Sequence, residues 1–370
     1  MKIFHLYKDY YPVLGGIEGH IGTLAEAQAA AGHQVTVLVT NPGDQPALET
    51  LNGVKIVRLP RLATLSSTPL SPGFLFYLRR EKPQITHLHF PYPIAEISQM
   101  IAGRGRPYVI SYHSDVVRPG QQLFLRLYRP LLCRALRGAR RIIVDSKRYL
   151  QVSPFLQALA GQCTVVPIGI DPQPFIAASQ SRKWNEQLKI FFLGRHRYYK
   201  GVDVLLKAMA HVDACLWIGG DGEMRQQWMQ QANDLGLAER VKFIGDIPRE
   251  DLPGVYASAD LFVLPSTLRA EGFGIVLLEA MATGLPCITT ELGTGTSFIV
   301  QDGVTGLVVP PNRPEALAEA IQRLLSDPEL RARMGANGQE RVLREFTVER
   351  MARQVERVYR EALQTKANEI

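Results

Sequence analysis

Short apolar runs alternate with amphipathic or Ala-rich stretches along the whole chain. In the first half, Lys2 to Leu6, Gln34 to Thr40, Val54 to Leu59, Ile85 to Phe90, Pro107 to Tyr112 and Arg141 to Asp145 read as strands. Val165 to Ile168 reads as the last strand of that half. A Gly-rich turn over Asp9 to Gly16 precedes an Ala-rich helix that runs to Ala31 and stops at Gly32-His33. The second half repeats the alternation. Its strands are Leu188 to Leu193, Ala214 to Ile218, Val241 to Ile244, Leu261 to Leu264, Cys287 to Thr290 and Gly306 to Val309. Helices over Val202–Ala210, Glu223–Leu235 and Pro314–Leu325 fill the gaps. Between the halves, Gly169 to Pro174 and Ala177 to Gln187 have the composition of a linker.

This pattern predicts an α/β protein of two Rossmann-like, doubly wound domains facing each other across a cleft. The first spans residues 1–170 and the second 171–346. A helix from Thr347 to about 366, with Met351, Val355 and Val358 on one face, is expected to cross back to the first domain.

Composition leaves that picture in place and narrows the setting. At 370 residues and 46% hydrophobic content the chain can fill two cores. It has no apolar run long enough for a transmembrane helix, and its start lacks the features of a signal peptide. Four widely spaced cysteines (Cys133, Cys163, Cys215, Cys287) without a C-x-x-C pair read as reduced, buried thiols, so the expected location is cytoplasmic.

Charge adds an asymmetry. Residues 1–170 carry nineteen basic and nine acidic side chains, and the remainder carries 23 basic and 26 acidic. Seven arginines and no acid fall between Arg118 and Arg141, interleaved with leucines. A helix there is basic and amphipathic, which makes Arg126, Arg129, Arg134 and Arg137 candidates for contact with an anionic membrane. The alternative is a helix that packs its leucines on the sheet and leaves its arginines in water. No nucleic-acid-binding motif accompanies the charge.

Candidate chemistry gathers at four turns. In Glu271-Gly272-Phe273-Gly274, a carboxylate sits where a strand passes into a helix, and that helix carries a second carboxylate, Glu279, among Val276, Leu277, Leu278, Met281 and Leu285. Such strand-to-helix turns are where open parallel sheets bind ligands. In Gly194–Gly201, Arg195 and Lys200 flank another helix start, a phosphate cradle that is not a Walker A loop; the alternative is a solvated basic loop. Gly15-Gly16 lets backbone approach an anion, or is an ordinary tight turn. Ser111 to Asp115 places His113 at a strand end, where it is either structural or part of a site. Without a G-x-S-x-G elbow, a Ser-His-Asp hydrolase is disfavoured.

Together these turns resemble the retaining glycosyltransferases of family 4, which have the GT-B architecture. The likeness covers nearly the whole chain. It rests on EGFGIVLLEAMATGLP (Glu271–Pro286), GVTGLVV (Gly303–Val309), Gly194-Arg195 with Lys200-Gly201, Gly15-Gly16, Ile218 to Glu223, and His113. The resemblance implies that Arg195 and Lys200 hold the donor diphosphate and that Gly15 and Gly16 lend backbone to it. It further implies that Glu279 accepts from the ribose hydroxyls and that Ile247 lies against the base. Glu271, with the amides of Phe273, Gly274 and Ile275, would bind the sugar, and His113 would contact it near the reacting carbon.

No Asp-x-Asp occurs, so a metal-independent transferase without cofactor is expected. Where many relatives have Gly-Gly-x-x-Glu, this chain has Gly293-Thr294-Gly295-Thr296-Ser297-Phe298, a variant resembling bacterial polysaccharide mannosyltransferases. GDP-mannose is therefore the first expected donor and a UDP-sugar the alternative, with Arg249 standing where a carboxylate would help read guanine. The expected acceptor is a glycan or lipid-linked glycan, with the enzyme peripheral on the inner face of the plasma membrane. A GT-B epimerase or a non-catalytic nucleotide-sugar-binding protein remains open.

Overall fold

The computed structural model describes residues 1–13, 15–43, 45, 47–65, 68–115, 122–180 and 188–364, with backbone alone for 122–127. The chain forms two compact units, Met1–Gly169 with the segment from Val348 on, and Ile170–Thr347.

The first unit is built on an eight-stranded sheet. In chain order its elements are β1 (Lys2–Leu6), α1 (Gly16–Ala30), β2 (Gln34–Thr40), β3 (Leu48–Leu51), β4 (Val54–Leu59), and a separate hairpin of β5 (Ala63–Leu65) and β6 (Thr68–Leu70). There follow α2 (Gly73–Glu81), β7 (Ile85–Phe90), α3 (Pro93–Ala102), β8 (Tyr108–Tyr112), α4 (Gln122–Gly138), β9 (Arg141–Val144), α5 (Lys147–Val152) and β10 (Cys163–Val165). The strand order is β10-β9-β8-β7-β1-β2-β4-β3, parallel except for β3 against β4. Strands β7 and β8 are buried along their whole length, as helix-covered parallel strands must be.

The second unit begins with α6 (Gln173–Gln180), β11 (Lys189–Leu193), α7 (Val202–Met209), β12 (Cys215–Gly219), α8 (Arg225–Asp234), β13 (Val241–Gly245) and α9 (Leu252–Ala257). It continues with β14 (Leu261–Leu264), α10 (Ile275–Ala282), β15 (Cys287–Thr290), α11 (Thr296–Ile299), β16 (Gly306–Val309), α12 (Pro314–Ser326) and α13 (Pro328–Glu345). The sheet order β13-β12-β11-β14-β15-β16 is the doubly wound 3-2-1-4-5-6 arrangement, all parallel. The last helix, α14 (Val348–Gln364), belongs to the first unit, where Met351, Val355, Val358 and Tyr359 are buried and it packs on α1 and β8.

Three expectations need correction. The last strand of the first unit is Cys163–Val165 and not Val165 to Ile168, because pairing with β9 ends at Val165↔Val144. The supposed linker includes a helix: α6 packs on α9, and Phe175 meets the Tyr256 ring at 5.8 Å. Residues 181–187 of that stretch lie outside the described residues. The four cysteines are free, but only Cys287 is buried and the other three are part-exposed.

Candidate active site

In the second unit the sheet reverses its winding between β11 and β14. The strand ends on either side of that point diverge and leave room for a ligand. The loop after β11 carries Arg195 and Lys200, and the loop after β14 carries Ser266 and Glu271. They are stitched together by Thr267 N–H donating to Tyr199 O at 2.8 Å. Gly201 makes this approach possible. Its φ is +70°, and a Cβ there would lie 2.0 Å from the carbonyl oxygen of Pro265.

The loops bring two of the sequence candidates into direct contact. Lys200 Nζ donates to Glu271 Oε2 at 2.7 Å, and Ser266 Oγ donates to the same oxygen at 2.8 Å. The two charged side chains are only 10% and 9% exposed. Burial pushes the Lys200 ammonium down, but the Glu271 carboxylate and its hydrogen bond more than offset this, so the lysine pKa is raised. Arg195 stands exposed at the mouth of the loop and pairs with no carboxylate among the described residues.

Glu271 leads into α10 through Gly274, whose φ of +87° serves as the helix N-cap. The N–H groups of Phe273, Gly274 and Ile275 have no acceptor among the described residues, which leaves three donors at a helix amino end. Further along α10, Glu279 is not a solvated surface residue. Its Oε2 accepts from the buried Tyr256 hydroxyl at 2.7 Å, and burial raises its pKa against the opposing pull of Tyr256 and Arg249. Ile247 lies over Gly219, where a Cβ would be 3.0 Å from the isoleucine methyl. Neither Tyr256 nor Ser266 stood out in the sequence. Ser266, directly beyond β14, carried a positional signal, and Tyr256 carried none.

In the first unit Gly15 and Gly16 are exposed at the start of α1, which follows β1. Here too the winding reverses, between β1 and β7. His20, one turn into α1, is buried with its ring 5.2 Å from that of His113. His113 is itself buried and sits in a cluster that sequence reading missed. His5, His87 and His89 line the same sheet face, since His5 pairs with His87 in register and His89 follows two residues on. The signal was the His-Leu-His alternation of β7. Burial pushes the pKa values of His5, His20, His87 and His89 down, to about 4 for His5, so these rings are neutral at physiological pH.

Two trios, His5/His87/His89 and His20/His89/His113, bring ring nitrogens within 4.8 Å of one another, near enough to share a metal ion. The contacts they make are hydrogen bonds to each other, at 3.0 Å for His5–His89 and 3.1 Å for His89–His113. Asp145, at the end of β9, lies 3.6 Å from His113 Nδ1, and burial raises its pKa.

The basic helix α4 turns Tyr128, Leu132, Ala135 and Leu136 into the core and leaves Arg129, Arg134 and Arg137 exposed. From Tyr128 on, its apolar side is therefore covered by its own unit. Arg118 and the Arg126 side chain lie outside the described residues. No described helix is long and apolar enough to cross a membrane.

Two doubly wound units, each with donors and charged groups at the carboxyl ends of its strands, define the GT-B class. The solved structure of sucrose-phosphate synthase from Thermosynechococcus elongatus superposes with a TM-score of 0.81 at 26% identity, covering 97% of this chain and 98% of that one. The sequence profile of "Glycosyltransferase Family 4" matches residues 14–174 and that of "Glycosyl transferases group 1" matches 176–341. The D-rhamnosyltransferase WbpZ of Pseudomonas aeruginosa is 35% identical over 94% of this chain and 92% of its own. The O-antigen chain mannosyltransferase C of Escherichia coli is 33% identical over 99% and 100%. This chain belongs to the family 4 glycosyltransferases.

Proposed function

We propose that the protein transfers a hexosyl residue, mannose from GDP-mannose first, to a glycan or lipid-linked acceptor in cell-surface polysaccharide or glycolipid synthesis. The observation that carries this is the Lys200–Glu271 pair beside the exposed Arg195 at the winding reversal of the second unit. The rhamnosyl- and mannosyltransferase relatives favour a deoxyhexose or hexose donor.

On this reading Arg195 and Lys200 neutralise the diphosphate as it departs, an effect of about 3 kcal/mol for each well-placed donor. The three unpaired amides and Glu271 take the sugar hydroxyls, Glu279 the ribose and Ile247 the base. Gly15, Gly16 and His113 are the first unit's contribution. The sugar carbon becomes positive as the phosphate becomes negative, so fixed cations at the phosphate do the work that a metal would do elsewhere. Configuration is retained, and the leaving phosphate takes the acceptor's proton. The enzyme works peripherally at the inner face of the plasma membrane.

One observation favours a UDP-sugar as second reading: Arg249, two residues beyond Ile247, acts electrostatically on Glu279, whereas guanine recognition calls for a carboxylate near the base. Equilibrium binding of GDP-mannose, GDP-fucose, UDP-glucose and UDP-N-acetylglucosamine in EDTA tests the proposal. Binding of one donor, weakened by Arg195→Ala, is expected. Binding of none contradicts it, and binding that depends on a divalent ion contradicts the metal-free mechanism.

A further inference from the structure

The buried histidines of the first unit form a directed chain whose direction is set far from His113. Gln28 Nε2 donates to the Tyr359 hydroxyl at 3.2 Å, so the atom it turns to His5 is Oε1, which can only accept. His5 therefore donates from Nε2, at 2.7 Å, and a neutral imidazole that donates at one nitrogen accepts at the other. His5 Nδ1 accepts from His89 Nε2 at 3.0 Å, and His89 Nδ1 accepts from His113 Nε2 at 3.1 Å. A side branch agrees with this direction. The Tyr359 hydroxyl, having accepted from Gln28, donates to His87 Nδ1 at 2.7 Å, and His87 Nε2 donates to Ser111 Oγ at 2.7 Å.

The chain ends with His113 Nδ1 facing Asp145 Oδ2 at 3.6 Å, with no other partner among the described residues. His113 has already spent its Nε2 proton on His89. A bare nitrogen and a carboxylate oxygen, each nearly fully buried, repel unless one proton lies between them. His20 packs edge-on against both His89 and His113 at 5.8 and 5.2 Å.

We propose that His113 and Asp145 hold one proton in common, that Gln28, His5 and His89 set the direction of the bonds leading to it, and that Asp145 is thereby the positioning residue for His113. The functional part of this rests on the reading of the protein as a transferase. Both ring nitrogens of His113 are then engaged, so the ring offers no lone pair to an acceptor hydroxyl. It serves by its fixed place, and the acceptor's proton leaves by another route.

The test is nitrogen NMR of the full chain labelled with 15N-histidine, without ligand, with signals assigned by single His→Gln replacements. His5, His87 and His89 are expected as neutral rings protonated at Nε2. The His113 Nδ1 signal is expected to be displaced from the bare-nitrogen position toward the protonated one. Asp145→Asn should return that signal to the bare position, because the amide can donate to it. Gln28→Glu should switch His87 to the Nδ1-protonated form, since the carboxylate then takes the Tyr359 proton, and should leave His5 unchanged. Wild-type His5 and His89 protonated at Nδ1 would overturn the direction of the chain. An unmoved His113 signal in a folded Asp145→Asn protein would overturn the shared proton.

In turnover, Asp145→Ala should lower kcat about tenfold with less than a twofold change in donor KM, and Asp145→Asn, whose amide still holds the ring, should restore most of that loss; unchanged kcat in a folded Asp145→Ala protein would remove the positioning role. Failure of the transferase reading would appear separately, as no turnover by the wild-type chain with its tautomers still as stated.

Discussion

Replacing Glu271 should do two separable kinds of damage. In the structure its carboxylate holds an ammonium that is itself about nine-tenths buried. Glu271→Ala leaves Lys200 as an uncompensated buried cation, a loss of roughly 3–5 kcal/mol. Glu271→Gln keeps an oxygen for Ser266 and Lys200 while removing the charge, and should cost about 1–2 kcal/mol. The paired replacement Lys200→Met with Glu271→Leu removes both charges and should recover most of the loss, so the single effects will be strongly non-additive.

The readout is urea unfolding followed by tryptophan fluorescence, which reports the second unit because all three tryptophans fall between residues 170 and 347. Linkage fixes the sign with pH. The raised Lys200 value makes the lysine's contribution to stability fully present below about 10.4, the ordinary lysine value, and lost as pH rises through the native one. A Glu271→Ala protein within about 0.5 kcal/mol of wild type, or additive single effects, would refute the pairing. It follows that Glu271→Gln, and not Glu271→Ala, is the variant for separating transfer from nucleotide binding.

Arg195→Ala, at an exposed position, should leave stability within about 0.5 kcal/mol and lower kcat on the order of 100-fold; comparable kcat would remove its role at the phosphate. Burial depresses His5 to about 4, so below its ordinary value near 6.5 the unfolded chain binds the extra proton. Stability should therefore fall as pH drops through that window, by roughly 3 kcal/mol at pH 4 from His5 alone, and a urea midpoint that is flat from pH 7.5 to 5 would contradict it. Glu96, buried against the Tyr128 hydroxyl, is pushed up to about 7, so its burial costs stability as pH rises from about 4.5 to 7. Glu96→Gln should be more stable than wild type by about 1–3 kcal/mol at pH 8 and no more stable at pH 4.5, measured by circular dichroism in urea. Contact of α4 with anionic vesicles, made through Arg129, Arg134 and Arg137 alone, should vanish above roughly 0.5 M salt, where the screening length is only a few ångströms; salt-resistant cosedimentation would require apolar insertion.

The parallel strands of both sheets were legible, β10 with its bounds displaced, because buried parallel strands are short apolar runs, whereas the largely exposed antiparallel edge strand β3 was not. The two strand-to-helix turns of the second unit followed from the strand order. What escaped the sequence has physical causes. The eighteen-residue helix α13 buries only Leu330, Met334 and Val342 as large apolar residues, while its other leucine, Leu343, is exposed. The rest of its buried face is Gly335 and Gly338, pressed on the end of α10, with Arg331 and Arg341 spending their guanidinium groups on backbone carbonyls of Leu324, Leu325, Ile299 and Phe298. A helix that buries glycine and arginine has no hydrophobic stripe to read.

At the site, Arg195, Lys200, Glu271 and Glu279 could each be picked out, yet the pairing of Lys200 with Glu271 could not. It joins residues 71 positions apart through a loop contact that only Gly201 permits. The histidine cluster is similar. His5, His87 and His89 lie on two paired strands whose register aligns them and His113 stands one residue beyond a third, while Gln28 and Tyr359 arrive from helices at opposite ends of the chain.

The most direct test of the account is turnover by the purified chain in EDTA, with GDP-mannose and a UDP-sugar as donors and a lipid-linked or soluble glycan as acceptor. Both nucleotide release and the anomeric configuration of the product should be followed by proton NMR. The account predicts acceptor-dependent release from one donor, unaffected by the chelator, with the donor's configuration kept in the product. Release without acceptor, release abolished by EDTA and restored by a divalent ion, or an inverted product would contradict it.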